Sequence, residues 1–314
     1  MTGRVLTYDH CAYDLPPLLS WRAEYTGTVP CDAFLVTCPY TAELADILRR
    51  AAGFLLLDGE KVMLRAIVDE YEIRSSGQGR TAMVAGRGYA ARLLDNESRA
   101  ATYQKATLAE IIRNHVTPYG IECQEEEPLT ADGIYTVAAG ASQWKALSEF
   151  CRTYGGFLPR FGRDGRLIAA PEKQENVRLS IDGKTRVLSL VKRENHYGVL
   201  TEVLVIDKTC NQMYPVRNED FIRRGGQCRR VLYKPGQATW AAMRYTGEYQ
   251  IARSREGEMG IELVLPGRFA AFPGQRVSLS LAELGLSGVF RAEESESRGG
   301  AEGEITRLVL REEG

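Results

Sequence analysis

Apolar and polar residues alternate along residues 19–25, and this period of two predicts a strand with one buried face. Residues 33–37 form a second short β-like run. Thr41 then has the character of a helix N-cap, and Gly53 is expected to close that helix after the apolar positions Leu44, Ile47 and Leu48. The pattern indicates strands with one short helical cover.

Two hairpins are predicted next. The dipeptide Asp58-Gly59 separates the apolar run 54–57 from residues 61–68, which is a strong local signal for a tight β-turn. Residues 70–74 and 81–85 are expected to pair across the polar turn 75–79. Antiparallel pairing therefore dominates the first third of the chain.

The composition changes near residue 95, where helical signals begin. Thr107 and Glu110 form a capping box, and a second helix is predicted to begin after Ser142 and to end at Gly155-Gly156. A hairpin is expected directly afterwards, with residues 157–161 and 166–170 as its strands. This middle region is a small α+β unit.

From about residue 183 the pattern predicts strands again. Residues 288–292 and 305–311 are expected to form a final hairpin across a loop at 295–303, while residues 237–253 fit a helix or a strand equally well. The earlier strands of this region are predicted at 187–192, 199–206, 229–233, 261–265 and 276–281. The layout is a β domain, a small α+β domain and a second β domain.

Composition and charge exclude some function classes. The 314 residues include 40 basic and 41 acidic side chains, so the basic excess of a nucleic-acid-binding protein is lacking. No apolar run reaches the length of a membrane span, and the first residues lack the apolar stretch of a signal peptide. The cysteines are odd in number, without C-x-x-C spacing, and are expected to be reduced, mostly buried thiols in a protein made in the cytoplasm: Cys11, Cys31, Cys38, Cys123, Cys151, Cys210 and Cys228.

One glycine-rich string imitates a dinucleotide-binding fingerprint. Gly86-Arg87-Gly88-Tyr89-Ala90-Ala91 follows a predicted strand and enters a helix-like segment, so its backbone N–H groups could approach a pyrophosphate. The surrounding strands are predicted to be antiparallel, and no second βαβ unit follows. A glycine-eased turn from strand to helix is the favoured interpretation.

The remaining titratable residues suggest no catalytic site. His10, His115 and His196 have no clustered partners of the kind that acid–base or metal chemistry needs. The acidic runs 122–127 and 293–296 could imitate glycosidase carboxylates, but contiguous glutamates are usually a solvated face. The basic stretch 223–230 could contact phosphates, although a solvated loop or a salt bridge between subunits is favoured. We therefore predict no catalytic, cofactor-binding or metal-binding residues, and no enzyme.

Several segments resemble the baseplate hub proteins of phage tails, the late control protein D-like and prophage tail hub family. In the order of that family's domains they are residues 64–70 and 83–97, with the "YxxxLL" segment at Tyr89 to Leu94, then 107–112, 118–121, 143–151, 156–158 and 165–168, and finally 272–277 and 286–290. The chain also resembles, more distantly, the N-terminal part of type VI secretion spike proteins.

The resemblance implies a β-rich α+β fold in which two tail-tube-like antiparallel β-barrel domains flank a small α+β domain. The implied boundaries are 1–97, 98–182 and 183–314, with a short insertion at 210–236. It further implies a homotrimer whose six similar barrels join the hexameric tail tube to a trimeric spike, with no cofactor.

The partners implied by the resemblance are the tail tube protein, the spike or tip protein, baseplate wedge proteins and the tape measure protein, without membrane insertion or sequence-specific nucleic acid. The location is the baseplate of a virion tail or of a contractile injection particle, assembled in the bacterial host cytoplasm. Two alternatives stay open: a tail-associated cell-wall hydrolase, and a monomeric β-rich surface-binding module.

Overall fold

A computed structural model of the chain describes residues 1–27, 31–77, 79–131, 133–173, 176–208, 212–234, 240–255 and 258–312. Contacts divide the chain into two compact units. The first unit contains Met1–Leu188 and Val264–Leu308, and the second contains Ser189–Leu263 and Val309–Gly314. No helix in the described ranges is long and apolar enough to cross a membrane.

The strands and helices are as follows. The strands are β1 Thr2–Thr7, β2 Ala12–Asp14, β3 Ser20–Thr26, β4 Ala33–Pro39, β5 Ala51–Asp58, β6 Lys61–Ser76, β7 Gly79–Gly88, β8 Ala101–Gln104, β9 Cys123–Glu126, β10 Ile134–Val137, β11 Arg160–Phe161, β12 Leu167–Ala169, β13 Val177–Asp182, β14 Ser189–Glu194, β15 Glu202–Asp207, β16 Met213–Arg217, β17 Arg229–Lys234, β18 Met259–Pro266, β19 Arg276–Leu281, β20 Leu286–Gly300 and β21 Gly303–Glu312. The α-helices are α1 Ala42–Arg49, α2 Ala91–Leu94, α3 Leu108–His115, α4 Gln143–Phe150, α5 Glu219–Arg223 and α6 Trp240–Arg255, with short 3₁₀ turns at Thr117–Tyr119 and Ala282–Leu284 and a π-helical turn at Cys151–Gly155.

The large sheet of the first unit follows the order β2-β1-β5-β6-β7-β4-β3-β20-β21. Strand β20 is long enough to have two partners on one edge: residues 286–291 pair with β19, and residues 294–299 pair with β3. Strand β13 pairs with β19 in parallel, whereas the successive strand pairings along the sheet from β2 to β20 are antiparallel. The first and last parts of the chain therefore share one sheet.

The core of this sheet confirms the alternation in the sequence. Trp21, Ala23 and Tyr25 of β3 are buried, and the Phe34 and Phe54 rings stack with their centroids 4.1 Å apart. Burying a side chain of this size stabilises the fold by about 1.5–3 kcal/mol. Leu19, by contrast, precedes β3 and is exposed.

The first predicted hairpin is confirmed. Asp58 pairs with Lys61, and Gly59 has a φ of +61° in the turn between them. The predicted end of α1 at Gly53 is wrong, since the helix ends at Arg49 and the Arg50 N–H bonds to the carbonyls of the last turn. Gly53 instead lies inside β5, where its neighbours on β1 and β6 occupy both edges of the strand.

The second predicted hairpin is confirmed by the β6–β7 pairing, in which Glu70 faces Ala85 and Arg74 faces Thr81. Gln78, within the predicted turn, lies outside the described residues.

The middle region has a core of its own. Thr107 and Ser142 cap α3 and α4 as predicted, each accepting a hydrogen bond from the backbone N–H three residues later. Helix α4 continues as the π-helical turn and ends at Gly156, whose φ is +70°. The predicted hairpin is present as β11 and β12.

The predicted loop at residues 295–303 is wrong, because β20 continues to Gly300. Its small hydroxyl residues face inward. The Ser297 Oγ accepts a hydrogen bond from the Phe269 N–H at 2.8 Å and lies 3.1 Å from the Thr306 Oγ1, and both residues are fully buried. The polar composition of residues 295–303 therefore predicted a loop where the structure has a buried strand.

The second unit contains a three-stranded sheet in the order β16-β15-β17, with α6 packed against β15 and β16. Residues 240–253 of the segment that fitted either element are helical, and residues 237–239 lie outside the described ranges. The pattern missed β16 and α5, which are both short.

The coarse fold prediction is confirmed: the chain is a β-rich α+β protein with mainly antiparallel sheets. The described strands of a single chain form open sheets, so the predicted closed barrels are not seen in it.

Candidate functional site

The glycine-rich string lies at a close contact between strands. Gly86 and Gly88 belong to β7, between antiparallel β4 and β6, and α2 follows after Ala90. The register of β6 shifts between Val68 and Glu70, and a Cβ on Gly86 would lie 1.9 Å from the Ile67 carbonyl oxygen. The glycine allows this bulge to approach β7, as expected for the strand-to-helix interpretation.

Arg87 is bound by two carboxylates. Its Nε lies 2.7 Å from Asp69 Oδ2 and its Nη2 lies 2.8 Å from Asp95 Oδ2. Hydrogen bonding to the Arg87 guanidinium holds the pKa of the Asp95 carboxyl below its usual value. The guanidinium therefore connects β6, β7 and the end of α2, and these two carboxylates more than balance its single positive charge.

A small cavity lies beside Gly86. Its volume is about 250 Å³, and its charged lining is Arg22, Glu24, Asp69 and Glu70. Arg22 and Asp69 are already engaged, with Glu24 and Arg87 respectively. This volume is below the roughly 300–1,000 Å³ of small-molecule sites.

The three histidines lie in different environments. His10 is exposed in the turn after β1 and has a φ of +63°, and His196 is exposed with its ring edge-on to Phe221. His115 is buried: its Nδ1 lies 2.6 Å from Gln143 Oε1, and its Nε2 lies 2.9 Å from the Tyr103 hydroxyl. Since an amide oxygen only accepts, Nδ1 carries the proton, and the ring connects α3, α4 and β8.

The acidic runs lie on strands. Cys123–Glu126 is β9, where Glu125 pairs with Lys173 at 2.7 Å, and residues 293–296 belong to β20. Among the described residues, no group of three or more His, Cys, Asp or Glu side chains could hold a metal ion.

The basic stretch is paired within the chain. Arg229 binds Glu202 at 2.7 Å, Arg224 binds Glu258, and Arg230 donates to the Gln250 side chain at 3.0 Å. Arg224, Arg229 and Arg230 are thus engaged by contacts within the second unit of one chain. The salt bridge between subunits that the sequence suggested stays a prediction.

Six cysteines lie in the described ranges, and all six are free thiols. Cys38 and Cys151 are buried, Cys11 is exposed, and the others are partly buried, while Cys210 lies outside the described residues. Burial raises the pKa of the Cys38 thiol to about 11 and that of Cys151 to about 12, so both remain protonated near neutral pH.

Open strand edges are the features best suited to assembly. Among the described strands, β2 pairs only with β1 and β13 pairs only with β19. The part of β6 after its bulge pairs with β7 alone. Ile73 on this part of β6 is 42% exposed, and Val177 on β13 is 39% exposed. Such edges are templates for another chain unless they are covered. Sequence periodicity predicted the outer part of β6, as residues 70–74, but it missed β2 and β13, and it did not indicate which strands are edges.

Comparison with known proteins identifies solved structures that share this fold. The sequence matches no protein-family model and no curated protein. The structure is similar to the tail protein of Neisseria meningitidis, with a TM-score of 0.77, 15% identity and coverage of 100% of this chain and 97% of that chain. It is also similar to a 43 kDa tail protein of prophage MuSo2 from Shewanella oneidensis, with a TM-score of 0.80, 13% identity and coverage of 99% and 97%.

A third similar structure is an Escherichia coli component of the type VI secretion system, with a TM-score of 0.52, 11% identity and coverage of 94% of this chain and 74% of that chain. That protein is described as structurally similar to phage T4 tail proteins. The resemblance predicted from the sequence is thus confirmed in the fold: the chain has, over nearly its whole length, the fold of phage tail and type VI secretion proteins.

Proposed function

We propose that this chain is a structural baseplate hub subunit of a phage tail or contractile injection system. Three copies would form a ring with pseudo-six-fold symmetry, joining a hexameric tail tube to a trimeric spike. The observation that supports this most strongly is the fold shared with tail proteins over 97% or more of both chains. A heterologous contact closes into a ring when its rotation permits.

The proposal gives the chain two tube-like β units, in residues 1–97 and 183–314, separated in sequence by a small unit in residues 98–182. The pairing of β3 with β20 would join the two β units into one sheet. Separate cores support the first division, since one core consists mainly of residues 5–84 and the next of residues 89–169. Each β unit would be completed into a barrel-like ring segment by its neighbours, which would cover the open strand edges. Further partners would be wedge and tape measure proteins at the virion baseplate.

The mass and image of the purified full-length chain test the ring. We expect about 105 kDa for three copies of the 34.9 kDa chain alone, or three copies plus the mass of the bound tube protein when the tail tube protein of the same particle is present. Negative-stain images should show rings with a central channel. A monomer at high concentration both alone and with the tube protein would contradict the proposal.

Substitution of an exposed residue at a strand edge tests whether that edge is covered in the ring. Ile73→Lys places a charge on the open part of β6 and should reduce the trimer fraction if this edge is covered in the ring. Leu158→Lys is the matched control, because Leu158 is also exposed, at 55%, but lies outside the strands. Equal effects of both substitutions would count against edge pairing.

The proposal includes no enzymatic activity. Zymography on peptidoglycan separates the hub from a tail-associated hydrolase, since the hub should produce no clearing. Clearing that disappears when a single carboxylate is replaced would favour the hydrolase.

A further inference from the structure

The small sheet of the second unit has one covered face. Val203 and Val205 of β15 are fully buried and belong to a core with Met243 and Ile251 of α6. Because side chains alternate along a strand, Glu202, Leu204 and Ile206 point to the opposite face. That opposite face is the subject of the inference.

Register shows which side chains share this face. Leu204 lies between Pro215 and Val231 on the neighbouring strands, and Ile206 lies between Met213 and Tyr233. The three outer side chains are largely open to solvent: Met213 is 48% exposed, Val231 is 42% exposed and Tyr233 is 59% exposed. We call these six apolar residues the outer apolar face.

Positive charge lies at both ends of the outer apolar face. At one end, Glu202 is held between Arg217 at 3.2 Å and Arg229 at 2.7 Å, so two cations face one carboxylate. At the other end, the Lys208 Nζ lies 5.1 Å from the centre of the Tyr233 ring. An occupant with carboxylates beside its apolar residues would complement both ends.

The topology of the sheet favours a second covering layer on the outer apolar face. Strands β15 and β17 are parallel, although β16 pairs with β15 antiparallel, and parallel strands are usually covered on both faces of a sheet. The face is about 10 Å wide and about 15 Å long, which matches one α-helix of about three turns. A second copy of the same face would bring cationic ends together, so stacking of two copies is disfavoured.

We propose that the outer apolar face docks an amphipathic helix of another protein, whose apolar stripe is flanked by Asp or Glu. The helix would lie across β16, β15 and β17, opposite α6, and complete a three-layer unit. This inference goes beyond the ring and does not depend on it, because all its residues lie within the second unit of one chain.

Synthetic helical peptides provide the probe. Three fluorescent peptides of about 18 residues would share one pattern: a leucine stripe flanked by Glu, the same stripe flanked by Lys, and the Glu peptide with Ser in place of Leu. Titrated with the full-length protein, the first should bind at least about tenfold more tightly than either of the others. Equal binding of the Glu and Lys peptides, or no binding of the Glu peptide, would overturn the proposal.

Variants of the protein localise the binding. Tyr233→Glu and Val231→Glu should each weaken binding of the Glu-flanked peptide by about tenfold, through lost apolar contact and added repulsion. Tyr249→Glu is the matched control, because Tyr249 is a 54% exposed tyrosine on α6, and it should change affinity by less than about twofold. The same loss with Tyr249→Glu would overturn the proposal.

Light scattering on these variants tests whether a second copy of the chain occupies the outer apolar face. If Tyr233→Glu lowers the mass of the wild-type assembly while Tyr249→Glu does not, a second copy occupies the face and the proposal is wrong. Unchanged mass together with weakened peptide binding supports it. If the chain did not form the proposed ring, the peptide-binding result would still hold, because all residues of the outer apolar face belong to one chain.

Discussion

Gly86 is a residue at which the fold requires the absence of a side chain. Gly86→Ala would place a Cβ 1.9 Å from the Ile67 carbonyl oxygen and 2.9 Å from Phe34 Cε1, both in the interior. We expect the free energy of unfolding in urea to fall by about 1–3 kcal/mol or more, since the backbone of the bulge must move.

Gly183→Ala is the control for this change. A Cβ there would meet no atom within 4 Å, and its φ is not in the left-handed region. Its effect should stay within about 1 kcal/mol in either direction. Similar losses at both positions would show that strand approach at Gly86 is not the cause.

Asp32 gives the fold a pH dependence. Burial raises the pKa of its carboxyl to about 7, although its oxygen accepts a hydrogen bond from the Thr26 N–H at 3.0 Å. An unfolded aspartate titrates near pH ~4, so between about pH 4 and 7 the folded state holds a proton that the unfolded state releases. The contribution of this group to stability is complete below about pH 4 and is lost as the pH rises through 7.

Asp32→Asn should remove that loss, because the amide stays neutral. Relative to the wild type, its unfolding free energy in urea should increase from pH 5 to pH 8 by about 1–3 kcal/mol. Glu60→Gln, in the exposed β5–β6 turn, should follow the wild-type profile. Parallel profiles for Asp32→Asn and the wild type would contradict a raised pKa.

At the scale of elements, local signals located the β5–β6 hairpin and the caps of α3 and α4, because a turn or a cap is determined by a few adjacent residues. They failed at β20, where Ser295 and Ser297 look like loop residues but satisfy their hydroxyls inside the fold. They also could not locate the outer apolar face. Periodicity identifies β15, but only tertiary packing determines which of its faces α6 covers.

The buried hydroxyls of β20 and β21 should hold the segment before β19 in place. The Thr306 Oγ1 donates to the Gly267 carbonyl at 2.8 Å and receives the Ala270 N–H at 3.4 Å. Thr306→Val keeps the shape and leaves those groups unpaired, so we expect a loss of about 1–3 kcal/mol in unfolding free energy. Hydrogen exchange should quicken at residues 267–272.

Thr102→Val on β8 is the matched control, since Thr102 is exposed and should change stability by less than about 0.5 kcal/mol. If exchange at residues 267–272 were unchanged in Thr306→Val, the hydroxyl contacts would not be what holds that segment.

At the scale of the whole molecule, the two units differ in the size of their cores. Among the described residues, the buried cluster around β15 and α6 in the second unit has five members, whereas two clusters in the first unit have 18 and 17. A smaller core gives less free energy against local opening, so amides of β15 should exchange faster than those of β4 under native conditions. Met243→Ala should accelerate exchange in the second unit, and Leu147→Ala in the first, since both side chains are fully buried. If either substitution accelerated exchange equally in both units, the chain would open as one cooperative body, and the partner helix proposed for the outer apolar face could not stabilise the second unit alone.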